Sequence, residues 1–286
     1  MTLTKAPALP RLFAEALLTA RRHHGPGLPD TELALHDVTV DRDHLAAYAR
    51  VCGFRVGGPL PPTYLHVLAF PLQMQLMTDR TFPFPLAKVV HLRNVVVQRR
   101  PVDADERPSL RVRAERLAEH SRGAQVDLVA EATVGTEPVW SGRGTYLFRG
   151  AQAPAGGPSY DEEPAPEPTL PDRPSAVWRV PADTGRRYAA VSGDVNPIHL
   201  HPLAARLAGY PKAIVHGMWT AARVLAAVDS RLPDALVAHL TFRKPLLLPS
   251  TVELLAGQVD DGWDLGVRSR RDGKVHLTGT VRPPGP

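Results

Sequence analysis

The chain repeats itself. The heptapeptide YARVCGF at 48–54 returns as YAAVSGD at 188–194, identical at four of seven positions. VVHLR at 89–93 is echoed by VAHLT at 237–241, and Gly144-Thr145 by Gly279-Thr280. The echoes keep their order and lie about half the chain apart, the trace left by a duplicated unit with later insertions. A length of 286 residues, about twice a usual domain, agrees. Whatever one half folds into, the other must fold into as well.

Between the halves lies a segment of different composition. Residues 151–174 hold seven prolines and five acidic residues against one arginine. Such a stretch buries too little apolar surface to offset its ordering entropy, and its prolines favour extended chain. The expected organisation is therefore an N-terminal domain at 1–150, a Pro-rich acidic linker at 151–174 and a C-terminal domain at 175–286. The net charge of +5 resolves into +4, −4 and +5 over these three segments. The arginines are scattered, with neither a basic helix nor interleaved aromatics, so nucleic acid is not an expected partner. Two basic halves suit a phosphate-bearing ligand or an acidic carrier protein. The single cysteine, Cys52, leaves no intramolecular disulfide and no Cys-based zinc cluster.

The opening residues read as a short amphipathic helix, interrupted by Glu15 and followed by Arg21 and Arg22, without a signal-peptide cleavage site. No stretch reaches the roughly 18 apolar residues of a membrane span. The expected location is cytoplasmic.

Hydrophobic periodicity sets the elements. Residues 217–231 are apolar nearly all round, which marks a buried helix. Period-two strands follow at 237–245, 251–259, 263–270 and 274–282, with Asp261-Gly262 and Asp272-Gly273 as tight-turn signals. The first half offers the same order, a helix at 63–78 and strands at 87–98, 109–119, 123–135 and 138–149. A buried helix wrapped by an antiparallel meander, twice over, predicts an α+β fold. In the second half 183–192 reads as a short helix, and Pro197 argues for a loop at 193–198.

That loop carries the chemistry. In YAAVSGDVNPIHLH (188–201), Asp194 and His199 flank a proline-stiffened turn that can aim a carboxylate and an imidazole at one bound water. Asn196 can hydrogen-bond within the turn and hold its shape. Downstream, His216-Gly217 opens the buried helix, whose first N–H groups can face a developing negative charge. Taken alone, Asp-x-Asn-Pro is ordinary turn and cap chemistry, and His-Gly an ordinary helix start. Their order ahead of a buried helix and a meander is what raises them above that. His199 and His201 could form a metal pair, but Asp194 is the one nearby carboxylate and no cysteine supports it, so no metal is expected.

SGDVNPIH, with Tyr188 upstream and Ala205 downstream, resembles the hydratase-2 motif of MaoC-like enoyl-CoA hydratases. AIVHGM (213–218) is similar to that family's segment at the head of its central helix. The doubled length, with LPPTYLHVLAFPL (60–72) and FPFPLAKVVHLRN (82–94), resembles the double hot-dog members, in which the first hot dog has lost its catalytic residues. The resemblance implies reversible syn addition of water to a trans-2-enoyl thioester, giving the (3R)-3-hydroxyacyl thioester. Asp194 and His199 would be the catalytic pair, the Gly217 N–H the oxyanion donor, and Asn196 and Ser192 the loop supports. The substrate would be an acyl-CoA or an acyl-carrier-protein thioester, with neither metal nor redox cofactor needed.

The first half departs from this pattern. Phe54 stands in the place of Asp194, and no Asn-Pro-x-His follows. One active site per chain is therefore expected, between the halves. Phe54, Tyr64, Phe70, Leu72, Met74 and Met77 are candidates for an acyl tunnel, and Arg243 and Lys244 for phosphate contacts. Two other readings stay open on the same fold, a non-catalytic acyl-thioester binding protein and a hot-dog thioesterase. Monomer and homodimer are both open too.

Overall fold

A computed structural model describes residues 1–19, 27–86, 89–153 and 166–285, without the side chains of 17–19. In the first half the elements are β1 (Thr2–Leu3), α1 (Leu9–Thr19), β2 (Leu33–Leu35), α2 (Arg42–Cys52), α3 (Tyr64–Thr78), β3 (Val89–Gln98), β4 (Pro108–His120), β5 (Gly123–Val134) and β6 (Glu137–Arg149). In the second they are β7 (Ala176–Val180), α4 (Thr184–Ser192), α5 (Pro197–Leu200), α6 (Pro202–Leu207), α7 (Gly217–Ala226), β8 (Leu236–Phe242), β9 (Ser250–Val259), β10 (Gly262–Ser269) and β11 (Val275–Arg282).

The duplication is visible in the topology. The sheet runs β1-β2-β4-β5-β6-β3-β8-β11-β10-β9-β7, so the meander β3-β6-β5-β4 and the meander β8-β11-β10-β9 leave the centre in opposite directions with the same connections. The expected two sheets are thus two halves of one eleven-stranded sheet, joined where β3 pairs antiparallel with β8. In that pairing Arg93 faces Thr241, its own counterpart in the echoed pentapeptides. A residue can face its equivalent only on a two-fold axis, so a pseudo-two-fold passes between these strands.

Each half wraps its sheet around one buried helix. In α7 the side chains of Ala221, Ala222, Val224 and Leu225 are wholly buried, and in α3 those of Tyr64, Ala69 and Leu72 are too. Both helices are preceded by a short one that stops in the same way. α2 begins at Asp41, whose carboxyl group accepts the Asp43 and His44 N–H groups, and ends at Gly53 with φ 86°. α4 ends at Gly193 with φ 72°. Both glycines occupy the left-handed region that a side chain disfavours, so the echoed Gly is a helix stop in each half.

Three local expectations change. Pro197 does not belong to a loop but opens α5 at its first position, where its missing N–H costs nothing and its fixed φ suits the helix. The buried helix stops at Ala226 rather than 231, and Asp229–Arg231 forms a separate turn of 3-10 helix. The turn before β10 is Asp260-Asp261, with Asp260 at φ 44°. Gly262 is already in the strand, where a Cβ would strike the Val281 carbonyl oxygen. At the next turn Gly273 takes the left-handed conformation, as its sequence suggests.

Of the expected linker, 154–165 lies outside the described residues. Residues 166–174 of it lie against the second half. The Thr169 N–H donates to Asp264 Oδ2 (2.6 Å), and Leu170 lies over Gly266, where a Cβ would be 2.7 Å from its Cδ1. Glu167 pairs with Arg243. The N-terminal helix is present as α1, with Leu12 buried and Leu9 packed on Gly193. Among the described residues no helix is long and apolar enough to cross a membrane.

Candidate active site

The site forms where α4 stops. Gly193 turns the chain out of the helix, and Asp194 follows with its N–H donating to Ser192 Oγ (3.2 Å). Asp194 Oδ1 accepts the Asn196 N–H (3.1 Å), and Asn196 Oδ1 caps α5 by accepting the Ile198 N–H (3.4 Å). Ser192, Asp194 and Asn196 thus form one chain of side-chain-to-backbone bonds that holds the turn. α5 delivers His199 one turn later. α4 packs closely enough on α5 that a Cβ at Gly185 would strike the His199 carbonyl oxygen.

His199 has a defined tautomer. Its Nδ1 lies 2.9 Å from the Ile214 carbonyl oxygen, which can only accept, so Nδ1 carries the proton and Nε2 keeps its lone pair. Burial lowers the His199 pKa against the opposing pull of the Asp194 charge and the Ile214 carbonyl. The ring is therefore neutral at neutral pH, with a basic nitrogen available.

His216 holds the arrangement together. It is the residue before α7, and its Nε2–H donates to the Asp194 main-chain oxygen at 2.9 Å. Its ring stacks on His199 with centroids 3.7 Å apart and 28° between planes, and the Tyr188 ring lies 5.0 Å from it, tilted by 54°. Burial and the neighbouring His199 hold its pKa well below the ordinary value. His216 is thus a positioning residue that ties the catalytic turn to the head of the central helix. The motif reading missed this role; the signal was a histidine at the cap of a buried helix, directly before Gly217.

Gly217 is the first residue of α7, so its N–H is one of the donors that no helical carbonyl can take. A Cβ there would come within 3.1 Å of the Phe242 ring, which would have to give by a few tenths of an ångström to admit it. Asp194, His199, His216 and Gly217 line a single cavity of about 310 Å³. Both halves build it: α3 contributes His66 and Phe70, β3 contributes His91, and β6 contributes Tyr146.

Arg243 and Lys244 line the exposed mouth of this cavity, as expected, together with Arg122 and Arg149. Arg243 is anchored, donating from Nε to Thr278 Oγ1 (3.1 Å) and from its guanidinium to Glu167 (2.9 Å). Phe54 and Tyr64, expected to touch substrate, lie elsewhere. Phe54 stacks on Tyr48 at 6.4 Å, and the Tyr64 hydroxyl bonds His44 Nδ1 at 2.8 Å. Of the other tunnel candidates Phe70 lines the cavity, whereas Leu72, Met74 and Met77 point into the core. An apolar face of a central helix is mostly needed for packing against its own sheet.

His201 does not join His199 as a chelate: it is exposed, and its Nδ1 accepts the Leu203 N–H to cap α6. Asp194, His199 and His216 do bring one donor atom each within 4.8 Å, so a cation in this cavity would meet these three.

Known proteins share this architecture. Residues 161–278 match the family model described as MaoC like domain. The 3-hydroxyacyl-thioester dehydratase X of Mycobacterium tuberculosis is 43% identical over 89% of this chain and 90% of its own length. A crystal structure of HtdX from the same organism aligns with a TM-score of 0.78 and 40% identity, covering 89% of this chain and all of that one. A MaoC-like dehydratase from Phytophthora capsici shares the fold at a TM-score of 0.73 and 17% identity, covering 91% of this chain and 96% of its own. With the duplicated hot dog, the catalytic turn and these relatives together, the chain belongs to the MaoC-like dehydratase family.

Proposed function

We infer that the protein is a 3-hydroxyacyl-thioester dehydratase of fatty-acyl metabolism, working reversibly as a hydratase of trans-2-enoyl thioesters. The observation that carries this reading is the convergence of a neutral His199 with a bare Nε2, the Asp194 carboxyl group and the head of α7 on one cavity. The relatives named as 3-hydroxyacyl-thioester dehydratases support it.

In the hydration direction a water sits between Asp194 and His199. Its oxygen bonds to C3 as Nε2 of His199 takes a proton from it. The π electrons move toward C2 and the carbonyl, and the resulting enolate oxygen rests on the Gly217 N–H. C2 then takes back one proton, and the thioester is restored. Asp194 orients the water through its second hydrogen. Both new bonds form on the face that carries the pair, so addition is syn, and the family resemblance assigns the product as the (3R)-3-hydroxyacyl thioester. Acid/base help of this kind contributes typically about 10²–10⁴-fold, and one oxyanion donor about 3–4 kcal/mol. The chemistry calls on no cofactor beyond the thioester's own arm.

The cationic mouth suits the phosphates of CoA or of a carrier protein's phosphopantetheine, and the protein's place is the cytoplasm. Each chain contains both hot dogs that shape the cavity, so a monomer holds a complete site. The test is hydration of crotonyl-CoA and longer trans-2-enoyl-CoAs, with carrier-protein counterparts, followed by loss of absorbance of the conjugated thioester. Turnover by the native chain and none by Asp194→Asn is the expected result. Inactivity of both on every substrate would remove the enzyme reading, and release of free thiol would replace it with a thioesterase.

A further inference from the structure

The half without Asp194 still reaches the site through one phenol. Tyr146 sits on β6 opposite His91 of β3, where the ladder slips by a residue so that Leu92 has no partner across the pair. Such a bulge re-aims side chains, and here His91 and Tyr146 stack face to face, centroids 4.3 Å apart and planes 17° apart. The missing side chain of Gly144 makes room for them, since a Cβ there would lie 2.8 Å from Tyr146 Cε2 and 3.0 Å from His91 Nε2.

The buried phenols away from the cavity have protein partners. Tyr48 bonds Thr63 Oγ1 at 2.7 Å and Tyr64 bonds His44 Nδ1 at 2.8 Å, and neither lines the cavity, whose phenols are Tyr146, Tyr188 and Tyr210. Tyr146 is 9% exposed, lines the cavity with Asp194 and His199, and its hydroxyl has no hydrogen-bond partner among the described residues. A buried phenol usually finds one, and the cavity it lines is the place where this hydroxyl can find it.

We propose that Tyr146 is a substrate-contacting residue of this site, its hydroxyl donating a hydrogen bond to the C3 oxygen that Asp194 and His199 hold. Burial and the facing Asp194 charge raise the Tyr146 pKa, so the phenol keeps its proton and acts as a donor throughout the working range. That donor matters most when C3–O is half broken and the oxygen carries the most negative charge. It therefore serves the transition state more than the bound substrate.

The inference rests on the dehydratase reading, and the test separates the two. Tyr146→Phe keeps the ring and its stacking on His91 and removes only the hydroxyl. With crotonyl-CoA, kcat falls by roughly 10–100-fold while KM stays within about twofold and the thermal midpoint is unchanged. Gly144→Ala, which displaces the ring and leaves the hydroxyl on it, lowers kcat in the same direction. If Tyr146→Phe keeps kcat within about twofold of the native enzyme, or loses activity only through a raised KM, Tyr146 is wall and nothing more. A native chain inactive on all enoyl thioesters would instead overturn the reading beneath it.

Discussion

The two helix heads of this molecule are built on one plan and end in opposite states. At α7 the positions before and at the start of the helix hold His216 and Gly217; at α3 they hold Thr63 and Tyr64. After the short helix's glycine stop, the second half places Asp194 and the first Phe54. In the first half Thr63 bonds the Tyr48 hydroxyl, Tyr64 bonds His44, and Trp140 donates to the Pro62 carbonyl (2.8 Å), so these groups at the head of α3 face neighbours. Thr63, Tyr48 and Tyr64 are wholly buried. The second half leaves its helix head open and its His199 nitrogen unspent. Losing a site here means more than losing an acid: the space has been filled and the polar groups paired off. What the first half keeps is the wall of its neighbour's cavity.

Substitutions at matching positions should break this symmetry. The largest effect belongs to the base: His199→Ala lowers kcat for enoyl-CoA hydration by roughly 10³–10⁴-fold. Phe54→Ala, at the position that matches Asp194, leaves kcat within about twofold and instead costs about 3–5 kcal/mol of unfolding free energy, because it empties a buried aromatic site. Kinetics and denaturant unfolding on the pair measure both. Gly217→Val comes next. Its side chain meets the Phe242 ring and narrows the helix head, and kcat/KM falls by roughly 100-fold. Tyr64→Phe, at the matching position, removes the bond to His44 and is silent in the assay.

The smallest effect is on stability against pH, and it arises in the first half. Burial lowers the His66 pKa to about 4, below its ordinary value of about 6.5. Between those values the unfolded chain binds the proton and the folded one does not, so stability is full above about pH 6.5 and is lost on acidification toward pH 4. The slope is about 1.4 kcal/mol per pH unit for this histidine while it lasts. His66→Gln should remove that share of the slope in denaturant titrations between pH 7 and 5. An unchanged slope would show that His66 charges freely in the folded protein.

Much of this was legible in the residues themselves. Period-two alternation and the all-round apolar helix located eight strands and both central helices within a few residues, because each had one clear face to bury. Asp194, Asn196, His199 and Gly217 lie in two short segments whose shape is set locally by a helix stop, a cap and a proline. The misses share a different cause. Pro197 was read as a helix breaker, although at a first position it is a helix former. Phe54 and Tyr64 are expected at the ligand as lining of an acyl tunnel, yet their rings satisfy neighbours that the sequence does not reveal. Tyr146 carries no motif; a strand slip and Gly144, two residues before it, place it, and the slip exists only in the folded sheet.

The account's central claim is one ligand site per chain, made by both halves. Equilibrium titration of the native protein with a saturated acyl-CoA, which has no double bond to hydrate, tests it most directly. One thioester bound per chain, lost in Gly217→Val and retained in Tyr64→Phe, is the predicted result. Two equivalents per chain would contradict it, for then the head of α3 would still be open.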